Sequence, residues 1–86
     1  MPINFRSKID QKLLGYYFAN PGAEHYLREL SRIISFNVSF LSRELKILTK
    51  NGIFISTKRG REKYFRLNQK HPLYNEIRAI IKSTKP

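Results

Sequence analysis

Between Leu27 and Leu67 the apolar residues change their spacing once, and that change leaves few folds open. Leu27, Leu30, Ile33 and Ile34 recur at three and four positions, and Val38, Leu41, Leu45 and Leu48 do so again. This is the period of short helices that each bury one stripe. From Ile53 the runs shorten, gain β-branched and aromatic residues, and break at Arg59, Gly60 and Arg61, as two strands and their turn require. Two helical stripes and one strand face must be buried together, so the helices must lie against a small hairpin.

The flanking segments complete the order. Ser7 and Asp10 form a capping-box-like start, with Ile9, Leu13, Leu14, Tyr17 and Phe18 at helical spacing, so a first helix is expected from Ser7 to about Ala19. Asn20, Pro21 and Gly22 stop it, and Ala23 to Tyr26 reads as a very short extended segment. The second helix exposes Arg28, Glu29 and Arg32. Ser35 and Phe36 connect tightly to Asn37, whose side chain caps a third helix over Val38 to Lys50. Its stripe is Val38, Leu41, Leu45 and Leu48; a turn of about 100° per residue puts Ser39, Arg43, Lys46 and Lys50 opposite. Asn51 and Gly52 end it, with Gly52 left-handed. Ile53 to Lys58 and Glu62 to Leu67 are the strands, with Ile53, Ile55, Phe65 and Leu67 toward the core. A last helix is expected to begin near Pro72 and run to about 82, with Leu73, Ile77, Ile80 and Ile81 as its apolar face. The tail from Lys82 to Pro86 should fray. The fold class is mainly α with a small β hairpin, α+β, in the order helix, short strand, helix, helix, strand, strand, helix. Residues 1–86 read as one domain, whose terminal helices, about 7–19 and 72–82, offer a dimer surface.

Charge narrows the function. In 86 residues, 17 Lys and Arg stand against 6 Asp and Glu, a formal +11, and such self-repulsion points to a polyanionic partner, nucleic acid ahead of an anionic membrane. So small a core leaves little room for an enclosed substrate pocket, and no nucleophile and base pair, glycine-rich phosphate loop or paired-acid constellation stands out, so an enzyme is not expected. The absence of cysteine excludes disulfides and thiolate metal sites. His25 and His71 sit at no ligand spacing, so neither a metal nor another cofactor is expected; His25 reads as a surface or edge-strand residue, and His71 as the start of the last helix. Apolar runs of only a few residues place no transmembrane helix, and Met1 to Arg6 does not open a signal peptide. The expected setting is the cytoplasm.

The two short helices and their tight link match a helix-turn-helix, whose second helix enters the major groove of duplex DNA. Arg43 is the first choice for reading a base, because its guanidinium can donate two hydrogen bonds to guanine O6 and N7. Ser39, in the first turn, suits a base edge or a phosphate; Lys46 and Lys50 suit phosphates. Asn37, Phe40 and Ser42 belong to the same surface. Phe40 and Ile47 flank the reading face; they either meet thymine methyls or a partner helix, or pack against the second helix or the hairpin. At the hairpin tip Lys58, Arg59, Arg61 and Lys63 surround Gly60 and suit a phosphate backbone or a narrow minor groove. Tyr64 alternates outward from Phe65, toward a phosphate or against the helices. Arg43 to Lys70 hold nine Lys and Arg against two Glu, a net +7. Tyr16, Tyr17 and Phe18 read as core residues, and Glu29, Glu44 and Glu62 as partners of adjacent basic residues.

With those residues placed, the segments YLRELSRIISFN, VSFLSRELKILTKNGIF and TKRGREKYFRLN resemble the winged helix-turn-helix domains of the ArsR and MarR type over nearly the whole chain. The run SRELKILTKNGI is similar to their Ser-Arg-x-Leu-x-x-Leu-x-x-x-Gly-(Leu/Ile) signature. The resemblance implies three helices with a two- or three-stranded wing, and DNA recognition by the helix carrying Ser39, Phe40, Ser42, Arg43 and Lys46. The ending NQKHPLYNEIRAII resembles a prokaryotic subgroup found ahead of nucleotidyltransferase domains, and no such domain is expected here. ArsR-type metal sensing uses cysteines and histidine-carboxylate sites that this sequence lacks. The expectation is a small transcription regulator that binds double-stranded DNA as a homodimer. The alternatives are a protein-interaction or antitoxin-like module docking an unidentified protein through Phe40 and Ile47, and an RNA-binding module.

Overall fold

The computed structural model describes residues 7–83. The expectations for Met1 to Arg6 and for residues 84–86 lie outside them. The elements are α1 (Lys8–Ala19), β1 (His25–Tyr26), α2 (Leu27–Ile34), α3 (Val38–Lys50), β2 (Phe54–Arg59), β3 (Glu62–Leu67) and α4 (Tyr74–Ser83), the expected order. All three strands are antiparallel neighbours in one sheet, β1-β3-β2, with β3 central. Among the described residues no helix is long and apolar enough to cross a membrane.

Local chemistry sets the boundaries. The Ser7 hydroxyl accepts the Asp10 N–H at 3.4 Å to open α1, which buries Leu13, Leu14, Tyr17 and Phe18. Between α2 and α3, Ser35 is left-handed, with φ 57°. The turn is tied twice to Ser31: the Phe36 N–H bonds its carbonyl at 3.1 Å, and its hydroxyl donates to the Phe36 carbonyl. At the end of α3, Gly52 is left-handed, and the Gly52 and Ile53 N–H groups return to the carbonyls of Thr49 and Leu48 at 3.0 and 2.9 Å. This is a Schellman closure, in which Ile53 packs back over the last turn.

That closure corrects the strand phase expected from sequence. Ile53 is buried as part of the turn, and the ladder begins one residue later, so Phe54 (1% exposed), not Ile55, faces the core opposite Leu67. Two consecutive residues are thus buried, and Ile55 lies half-buried on the other side of the sheet. In α2 and α3, Leu30, Ile34, Leu41, Leu45 and Leu48 form the core stripe, whereas Ile33 and Val38 are 41% and 40% exposed. Ile33, turned about 100° from Ile34, lies at the solvent edge of the buried stripe, and Val38 lies at the first position of α3.

The last helix starts at Tyr74 rather than near Pro72. His71 builds a turn first: its Nδ1 accepts the Leu73 N–H at 3.0 Å and its carbonyl accepts that of Tyr74 at 3.0 Å. Ile77 and Ile81 are buried, while Leu73 and Ile80 remain 39% and 38% exposed, so the expected four-residue apolar face is only half covered. Phe18 meets Tyr74 edge-on at 5.2 Å, fastening α1 to α4.

Candidate nucleic-acid interface

Asn37 orients α3 by accepting the Ser39 and Phe40 N–H groups on its side-chain oxygen at 2.8 and 3.4 Å. Its oxygen is therefore used within the fold. Beyond this cap Ser39, Phe40, Arg43, Lys46 and Lys50 are exposed on one side of α3, while Ser42 is half-buried. Phe40 and Ile47 are 58% and 40% exposed, so neither α2 nor the hairpin covers them. The Arg43 guanidinium lies 6.0 Å from the Phe40 ring centre, at the outer limit of a cation–π contact.

The hairpin sorts the basic residues between two faces. In register, Phe54 opposes Leu67, Ser56 opposes Phe65 and Lys58 opposes Lys63, so the face that begins in the core ends in two lysines side by side. Like charges directly opposite destabilise a strand pair unless an anion lies between them. The reverse face carries Thr57 opposite Tyr64 and Arg59 opposite Glu62. Only Gly60 and Arg61 lie outside the strands, and Gly60 has φ 60° while Arg61 has no positive φ, the signature of a type II′ turn.

Arg59 does not extend freely from the tip. Its guanidinium bonds Glu24 at 2.6 Å and lies 5.0 Å from the Tyr64 ring centre, and Tyr64 packs edge-on against Tyr26 at 5.7 Å. Tyr64 thus packs across the sheet rather than against the helices. Glu24 also approaches Arg66 at 4.0 Å. Among the described residues, Arg43, Lys46, Lys50, Lys58, Arg61 and Lys63 make no ion pair.

Between α3 and the core-side face of the β2–β3 hairpin runs a groove of about 470 Å³, with Leu27 and Phe65 among its lining residues and Lys46, Lys50 and Lys63 on α3 and β3. Two side-chain networks hold its frame. The Tyr17 hydroxyl donates to the Phe65 carbonyl at 2.7 Å, and burial raises the phenol's pKa. His25 bridges Tyr16 and Glu29 at 2.6 and 2.7 Å, tying β1 to α1 and α2. Glu29 is therefore the partner of His25 rather than of a neighbouring arginine. The spacing of His25 and Glu29, four residues apart, was a readable signal for that pair.

Glu44 also departs from the reading as a local charge partner. It turns under α3, where burial first, then the hydrogen bond its protonated carboxyl donates to Asp10 and the negative charge of Asp10, push its pKa up to about 8. The folded state then keeps a proton that the unfolded chain loses near the ordinary glutamate value. Stability from this pair is complete below about pH 4.5, falls as pH rises, and is gone above about pH 8. Glu44→Gln, which imitates the protonated acid, is expected to flatten that decline and to raise the melting temperature at pH 8 more than at pH 5. Thermal unfolding of both proteins at the two pH values checks this; parallel curves would contradict it.

No protein-family profile matches the chain, and no curated protein matches it. Solved structures do. A possible transcriptional regulator from Methanosarcina mazei superposes with a TM-score of 0.69 at 21% identity, over 90% of this chain and 65% of that one. A possible transcriptional regulatory protein from Mycobacterium bovis, solved as a fragment, superposes with a TM-score of 0.63 at 15% identity, over 84% of this chain and 75% of that one. This chain has a winged-helix fold. In that frame α2 and α3 are the helix-turn-helix, β2 and β3 are the wing, and this chain spans just under two thirds of the Methanosarcina protein.

Proposed function

We propose that this winged-helix chain is a sequence-specific duplex-DNA-binding transcription regulator of the ArsR/MarR type. Helix α3 lies in the major groove, Arg43 reads a base, and Ser39 and Asn37 sit where the helix start meets the groove. Phe40 and Ser42 flank that reader. Lys46, Lys50, Lys58 and Lys63 hold phosphates, while Arg61 and, once released from Glu24, Arg59 reach the backbone or minor groove. The observation that carries this reading is the unpaired cross-strand lysine pair, Lys58 and Lys63, on the core-side face of the wing, with Lys46 and Lys50 exposed on α3. A phosphate backbone would relieve the repulsion between these charges. The names of the two structural neighbours support regulation as the role. Residues 1–86 act as a single cytoplasmic domain without cofactor or catalysis, and two copies pair through the terminal helices to span two half-sites, about one helical turn apart.

Fluorescence anisotropy against a selected and a random duplex over a salt series tests this. Wild type is expected to bind both with a steep salt slope and to prefer the selected duplex. The double variant Arg59→Ala, Arg61→Ala should weaken both duplexes alike and reduce the slope by about 1–2, since each lost phosphate contact removes about 0.9 from it. Absence of duplex binding near physiological salt would overturn the assignment. A protein-docking role is favoured by one feature, the exposed Phe40 ring, and would gain from a stable complex with an acidic protein that Phe40→Ala abolishes.

A further inference from the structure

Arg59 passes over the carboxylate that the hairpin places beside it. Glu62 stands directly opposite in the strand register, yet among the described residues it makes no ion pair. The Arg59 side chain instead runs across β3, its guanidinium 5.0 Å from the Tyr64 ring centre, to reach Glu24 Oε1 at 2.6 Å. Tyr64 is itself braced edge-on by Tyr26. Glu24 directly precedes β1, and the pairing of His25 with Phe65 brings it level with Arg66, whose Nε lies 4.0 Å from Glu24 Oε2. One carboxylate therefore has two arginines within reach, Arg59 in contact and Arg66 just beyond it. The two arginine side chains are 56% and 48% exposed, so water screens both pairs and each is worth little. A contact of that strength orients a side chain and still yields to a stronger anion.

We propose that Glu24 is a positioning residue of the wing: its carboxylate takes the place of a phosphate, keeps Arg59 laid across the reverse face in the free protein, and gives it up when a duplex phosphate arrives. Arg66 then takes over the carboxylate, so that Glu24 is not left as a bare negative charge near the backbone. The free hairpin tip thus presents Arg61 without Arg59, and general affinity for phosphate is held below what the number of basic residues would give. The effect on affinity rests on the DNA-binding reading. The holding contact itself does not.

Nitrogen–proton correlation spectra of the arginine side chains, recorded on the whole chain without DNA, test the contact. A distinct Arg59 Nε–H signal is expected in wild type, and Glu24→Gln should move it onto the signals of the unpaired arginines; a signal left in place by that substitution would overturn the contact. The positioning role is read from affinity for a random duplex at one salt concentration, as a double-mutant cycle. Glu24→Gln should strengthen binding about two- to fivefold, the worth of an exposed ion pair, and the gain should vanish in the presence of Arg59→Ala. Glu62→Gln removes the same charge from the hairpin without releasing Arg59, so any gain it brings should persist with Arg59→Ala. Arg66→Gln, which leaves Glu24 no second partner, should weaken binding more in wild type than in the Glu24→Gln background. A Glu24→Gln gain of equal size with and without Arg59 would make Glu24 a plain repelling charge and overturn its positioning role. If neither wild type nor Glu24→Gln binds duplex, the DNA reading fails and the effect on affinity with it, while the spectra still decide the contact.

Discussion

Phe54→Ala is expected to destabilise the fold by about 3–5 kcal/mol, the usual cost of removing a buried aromatic ring. Phe54 is 1% exposed, stands opposite Leu67, and meets the Tyr17 ring edge-on at 4.8 Å, so it joins the wing to α1. The ring contact adds about 0.5–1.5 kcal/mol beyond burial. Stabilities near 0.05–0.15 kcal/mol per residue give a chain of this length about 4–13 kcal/mol, so the loss takes a large share. With each kcal/mol worth about 4–8 °C in a small domain, the melting temperature should fall by at least about 12 °C. Ile55→Ala is the matched control. Ile55 lies half-buried on the opposite side of the sheet, and its truncation should cost clearly less. Chemical denaturation of both variants decides the matter: equal losses would mean that the strand is in the other phase.

The contrast between Phe54 and Ile55 also shows which parts of this fold the sequence discloses. Helical stripes are legible because their period is local and repeated, and so are the Asn37 cap and the Gly52 stop, each made within one turn. Strand parity is not. It depends on whether the residue after Gly52 belongs to the turn or to the ladder, and the bond from Ile53 to the Leu48 carbonyl decides this in three dimensions. The exposed side of α3 was readable from the same helical phase that hides Leu41, Leu45 and Leu48. By contrast, the attachment of Arg59 to Glu24 links residues 35 positions apart, and only the pairing of β1 with β3 brings them together. Glu44 departs from expectation for a related reason: neighbouring basic residues in the sequence suggest a surface pair, whereas the fold sets it beside the Asp10 carboxyl.

On the proposed DNA-binding reading, these placements separate the basic residues expected to provide general affinity from the one best suited to discriminate. Wing lysines and Arg61 make no ion pair among the described residues, and long flexible cations of that kind attract any phosphate backbone. Arg43 differs. It is exposed on α3 and forms no ion pair among the described residues, with the Phe40 ring centre 6.0 Å from its guanidinium. A planar guanidinium suits the two acceptors of one guanine. Arg43→Ala is therefore expected to cost about 1–3 kcal/mol on the selected duplex, roughly a 5- to 150-fold loss, with only a few-fold change on random duplex. Arg43→Lys keeps the charge but loses the fork, so it should restore the random-duplex affinity without restoring the preference. Competition between selected and random duplexes, measured at one fixed salt concentration for all three proteins, separates the two effects. Equal losses on both duplexes in the alanine variant, fully repaired by lysine, would make Arg43 another phosphate contact and move base reading elsewhere on α3.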